Sequence, residues 1–165
     1  MRELLTRQEN LKYRLILEGI AVGLLAGLVS SAFRWTLIKA EDIRNLFLEG
    51  ARQSVALAVL GIFLLGVLAA FVGFLLKREP LISGSGIPQV EGEMHGKINA
   101  NWLQVLIAKF LGAVCAIGGG LSLGREGPSI QLGAMVGKGF SRVNNRFRTE
   151  EKLLMTCGAG AGLAA

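Results

Sequence analysis

Residues 54–76 read SVALAVLGIFLLGVLAAFVGFLL, 23 consecutive positions without a charge. A helix rising about 1.5 Å per residue crosses a hydrocarbon layer of about 30 Å over that length, with some tilt. The segment is therefore expected to be a transmembrane helix. Toward the N-terminus, residues 15–33 are apolar apart from Glu18 and carry Gly19, Gly23 and Gly27 at four-residue spacing. A second spanning helix with a close-packing glycine face is expected there. Arg2, Arg7, Lys12 and Arg14 precede it, interrupted by Glu3 and Glu9. The apolar run is longer than the core of a signal peptide, so an uncleaved helix is expected. Lys77 and Arg78 close the 54–76 span, whereas the segment between the spans mixes Arg34, Lys39, Arg44 and Arg52 with Glu41, Asp42 and Glu49. By the positive-inside rule, residues 1–14 and the Lys77–Pro80 turn should face the cytoplasm.

Composition agrees with a membrane setting. Of the 165 residues, 52% are hydrophobic and 18% charged, with mean hydropathy +0.50, which argues against an ordinary water-soluble core. Glycine fills 23 positions, about twice its usual frequency. Only three prolines and no G-X-Y period accompany it, which excludes collagen and low-complexity disorder. Glycine must then serve close packing or special backbone angles. The net charge of +6 sits in short patches without interleaved aromatics, so nucleic acid is not an expected partner. Cys115 and Cys157 lie among apolar and small residues without CxxC or Cys/His spacing. They read as small buried hydrophobes, and no disulfide, metal or cofactor is expected.

Beyond Pro80 the apolar pieces become short and are divided by glycine clusters. Residues 98–124 hold one charge, Lys109, and are long enough to cross, but the next uncharged piece, 127–137, has only 11 residues. Broken or re-entrant helices are expected, with their free backbone groups buried in protein or lining a cavity. Gly133 and Gly137 supply a further close-packing pair. The last run, 153–165, stops in mid-pattern with no cap or polar terminus, as a helix cut short would, so the chain is expected to be a fragment.

Two glycine–proline turns carry the chemistry: Gly84-Ser85-Gly86-Ile87-Pro88 and Gly124-Arg125-Glu126-Gly127-Pro128. Each should open a helix, because proline's missing N–H has no intrahelical partner there and glycine permits a sharp turn. The unpaired N–H groups at such a start, reinforced by the macrodipole, make an anion site. At membrane depth it binds a small anion without a full positive charge that would hold the ion too tightly, and the Ser85 hydroxyl adds a donor. Glu126 is itself an anion that those N–H groups would accept, and protonation would release it; one side chain could couple a proton to vacancy of the site. The bland alternative is a cap on its own helix or a pair with Arg125. The first turn lacks the third glycine of a dinucleotide fingerprint and the second lacks the Gly-Lys-Ser/Thr of a P-loop, so nucleotide binding fits poorly.

These turns, 40 residues apart and in this order, resemble the CLC family of chloride channels and chloride/proton antiporters, in particular its bacterial antiporter-like branch. The resemblance rests on GSGIPQVEG at 84–92, the KF-LG-GGG spacing from Lys109 to Gly120, LGREGPSIQLGAMVG at 123–137 and CGAGAGLAA at 157–165. It covers most of the chain from the first spanning helix onward. It implies that Ser85 coordinates the central anion, together with the loop positions Gly86, Ile87 and Gly127, and that Glu126 is the external gating glutamate. Serine in the first motif, where nitrate-preferring relatives carry proline, points to chloride, and the intact GREGP separates the chain from the fluoride-exporting branch. The resemblance further implies a homodimer with one pore per subunit. Family members are well over twice this length, with two halves of inverted topology. The second half adds a GxFxP anion loop, a pore tyrosine and, in antiporters, an internal proton glutamate beyond this segment. No GxFxP occurs here.

Among the remaining charges, Lys109 stands alone in a long apolar stretch and needs a partner, and Glu91, three residues after Pro88, is the expected one. The other possibility is that Lys109 snorkels to an interface while Glu91 faces water. His95 reads as a loop residue, Glu18 as a group capping or lining the first span, and Arg142, Arg146, Arg148 and Lys152 as a basic connector near headgroups. The expectation is thus an all-α integral membrane protein, a single incomplete domain over 1–165 with spanning helices at 15–33 and 54–76 and short or broken helices over 84–165. Its expected function is chloride transport across a lipid bilayer, by proton-coupled antiport in the full-length protein, with chloride ions and protons as partners and no enzyme chemistry. The rivals are a passive chloride channel of the same family, a membrane scaffold or assembly subunit whose glycines serve packing alone, and, remotely, a nucleotide-binding membrane enzyme.

Overall fold

The computed structural model describes residues 2–165, with side chains from Tyr13 onward apart from Gln53. The side chains of the expected basic preamble, Arg2, Arg7 and Lys12, lie outside that description. The described residues form six α-helices and no strand: α1 (Arg2–Gln53), α2 (Val55–Arg78), α3 (Ile87–Met94), α4 (Trp102–Gly118), α5 (Glu126–Val143) and α6 (Arg148–Ala164), with one 3-10 turn at Pro80–Ile82.

α1 is a single helix of 52 residues, so the charged segment expected between two spans is helical and continuous with the first. No proline interrupts it, and Lys39 and Asp42, one turn apart, form an exposed ion pair. The chain breaks at Ser54, whose backbone is extended, and at Glu79, where the following proline disfavours helical geometry. None of the α2 residues is buried in the chain itself. A helix apolar on every side and exposed on every side needs an apolar surround, and both α1 and α2 contain stretches long and apolar enough to cross a membrane.

α5 is the centre of the packing and lies against α6, α4, α1 and α3. Against α6 the contact is backbone on backbone. A Cβ at Gly133 would collide with the Gly158 carbonyl, one at Gly137 with the Leu154 carbonyl, and one at Gly162 with the Ser129 carbonyl. The glycine row on α1 behaves differently from expectation. Gly19 meets Cys157 Sγ, but Gly23 and Gly27 face open space. The packed stripe is shifted by one position and runs through Val22, Ala26, Ser30, Phe33 and Leu37, all fully buried. Its end joins Ile117 and Leu132 in a core cluster, with Phe33 edge-on to Phe110. The short helices expected after Pro80 are present. α3 has eight residues and α4 has 17, its start capped by Asn101 Oδ1, which accepts from Leu103 N at 3.3 Å. α5 has 18 residues and extends past the uncharged 127–137 piece, through Lys138, to Val143.

Candidate anion site at two helix starts

Gly86 caps α3 with φ +88°, a left-handed angle that suits glycine. Pro88 follows in the first turn, and Ile87 N donates to Ser85 Oγ at 3.4 Å. α5 begins at Glu126 with Pro128 in its first turn, so both prolines lie within the first three helical positions, not at the first one.

The fold brings the two starts into contact. A Cβ built on Gly127 would stand 2.5 Å from Ser85 O and 2.9 Å from Ser85 Cβ, and one on Gly86 would collide with the Gln131 side chain of α5. Gly86 and Gly127 are buried, whereas Ser85, Ile87 and Glu126 are exposed. Among the described residues Glu126 neither caps α5 nor pairs with Arg125. The starts of α3 and α5 therefore meet through Ser85 and Gly127, with the Ser85 hydroxyl, backbone amides and the Glu126 carboxylate all carried by the segments that meet. An arrangement of this kind can bind a small anion and let a carboxylate compete with it.

The expected Glu91–Lys109 ion pair does not form. Glu91 is exposed, and Lys109 Nζ instead donates to the carbonyls of Ile82 and Gly84, each at 2.8 Å. Lys109 is 4% exposed, and the 3-10 turn and the two residues after it bring two carbonyl oxygens within its reach, which solvate the ammonium without a carboxylate. The buried carboxylate–ammonium pair is made by residues that sequence reasoning missed, Lys138 and Glu93. Lys138 also donates to Ala100 O at 2.6 Å and Asn99 Oδ1 at 3.3 Å, while Glu93 accepts from Ala100 N. The usable signal was the helical face shared by Gln131, Ala134 and Lys138, all buried. His95 is the residue that ends α3, its Nδ1 2.9 Å from Glu91 O. Glu18 pairs with Arg14 on its own helix and with Arg146 between α5 and α6, tying α1 to that connector.

Residues 68–165 match the model of the voltage gated chloride channel family. The chain belongs to that family. The H+/Cl− exchange transporter ClcA of Vibrio cholerae serotype O1 is 36% identical over 163 residues, covering 96% of this chain and 34% of the relative. ClcA of Salmonella arizonae is 34% identical over 165 residues, covering 98% of this chain and 35% of the relative. The crystal structure of a slow cyanobacterial Cl−/H+ antiporter superposes with a TM-score of 0.85 at 33% identity, over 92% of this chain and 36% of that one. The chain thus has the all-α integral membrane fold of a CLC antiporter and spans about a third of the length of the relatives it matches.

Proposed function

We propose that this chain forms part of the chloride pathway of a CLC-type chloride/proton exchanger, with the anion held at the joined starts of α3 and α5 and Glu126 as the gate. The observation that carries the reading is the contact between Ser85 and Gly127, which joins the loop that opens α3 to the first turn of α5, where Glu126 is the first residue. Ser85, Gly86, Ile87 and Gly127 are the anion-binding positions in this reading. The ion moves and no covalent bond is broken. Relatives named as H+/Cl− exchange transporters support exchange over passive conduction. Helices within 15–33 and 54–76 cross the membrane, residues 84–165 build the ion-binding part, and the N-terminus faces the cytoplasm of a bacterial inner membrane, in keeping with the basic residues that flank the apolar runs. The full-length protein works as a homodimer.

The test is parallel chloride and proton flux from proteoliposomes of the full-length protein. Opposed movement of the two ions is expected; chloride flux without proton movement would make it a passive channel, and absence of both would favour a scaffold.

A further inference from the structure

Four consecutive carbonyl oxygens, those of Leu81, Ile82, Ser83 and Gly84, lead into Ser85, and side-chain N–H donors take all four. Gln131 on α5 donates to Leu81 O at 2.9 Å and Gln89 on α3 donates to Ser83 O at 2.9 Å. Lys109 on α4 takes the other two at 2.8 Å each. Three helices thus place one donor residue each on a single backbone segment. In a trans peptide the C=O and the next residue's N–H point to opposite sides, and the chain has no cis peptide bond among the described residues. Across each trans peptide the Gly84 N–H therefore points away from Gln89, which holds the Ser83 carbonyl, and the Ser85 N–H away from Lys109, which holds the Gly84 carbonyl, and neither N–H donates to a backbone carbonyl among the described residues.

Lys109 takes part in none of the ion pairs among the described residues, so its charge is balanced only by carbonyl dipoles. Its contact with Gly84 O puts that charge one peptide from Ser85. Gln131 is 1% exposed and presses on Gly86, which fixes the other end of the same loop.

We propose that Lys109 is the positioning residue of the anion loop, with Gln131 and Gln89 completing the clamp. It holds the Gly84 carbonyl oxygen, which repels an anion, away from the Ser85 N–H and sets a fixed positive charge behind that N–H group. The ligand class is a small monovalent anion, and the inference rests on the anion-site reading above.

The experiment is calorimetric chloride titration of the full-length protein in detergent, with chloride/nitrate flux ratios from proteoliposomes. Lys109→Met removes both donors and charge and should weaken chloride binding roughly tenfold while lowering discrimination against nitrate. Lys109→Arg should retain most of both. Gln131→Met removes one neutral donor and should lower the selectivity ratio roughly threefold, which carries the test if Lys109→Met fails to fold. A Lys109→Met protein that melts lower yet binds and discriminates anions normally would make the residue a mere strut and overturn the proposal. If the unsubstituted protein binds no chloride, the anion-site reading fails, and this inference with it.

Discussion

The Cα of Gly127 lies against the backbone of Ser85, so close that a single added methyl would stand 2.5 Å from the Ser85 carbonyl oxygen. Two loops 40 residues apart in sequence meet there. Gly127→Ala should therefore push the starts of α3 and α5 apart and cost about 1–3 kcal/mol through overpacking. A lowered melting temperature with reduced chloride flux is expected; wild-type values in both would mean that the loops do not touch.

At the anion loop, Ser85→Pro removes the hydroxyl donor and the backbone N–H together. Chloride preference over nitrate should fall in anion-flux measurements on the full-length protein. Unchanged selectivity in a folded variant would exclude Ser85 from the ion's contacts.

The buried Glu93–Lys138 pair joins the end of α3 to α5 across the Asn99–Ala100 link. Breaking such a pair from one side leaves a charge uncompensated and costs about 3–5 kcal/mol. Glu93→Gln and Lys138→Met should each lower thermal stability strongly, and the double variant should lower it by less than the sum. Additive losses would show that the two charges act independently.

The helix-packing glycines divide into two sets. Gly158→Ala drives a methyl into the Gly133 carbonyl and should destabilise the α5–α6 contact markedly. Gly23→Ala meets no atom within 4 Å and should be neutral or stabilising by up to about 1 kcal/mol through helix propensity. Thermal melts of the two variants compare them directly, and equal losses would contradict the packing described.

Much of this was legible in the sequence because the signals were local. An uncharged run of 23 residues and two glycine–proline turns specify an apolar helix and two helix starts without reference to the rest of the chain. Partner choice was not local. Lys109 and Lys138 both interrupt apolar stretches, and Glu91 and Glu93 lie two residues apart on a short helix, so that a rotation of α3 decides which carboxylate turns inward. Only the packed structure shows Glu93 buried with Lys138 and Lys109 resting on carbonyls. The α1 glycine row misled for a related reason. Spacing marks a face on which close approach is possible, but the packing uses the adjacent stripe through Val22 and Ala26.

The central claim is that Glu126, exposed at the joined helix starts, competes with the anion for one site. Parallel chloride and proton fluxes from proteoliposomes of the full-length Glu126→Gln and Glu126→Ala proteins, each with a normal size-exclusion profile, test it most directly. Chloride flux should persist while its pH dependence and the coupled proton movement disappear, because neither replacement can titrate. Proton-coupled flux at the unsubstituted stoichiometry in Glu126→Ala would contradict the account.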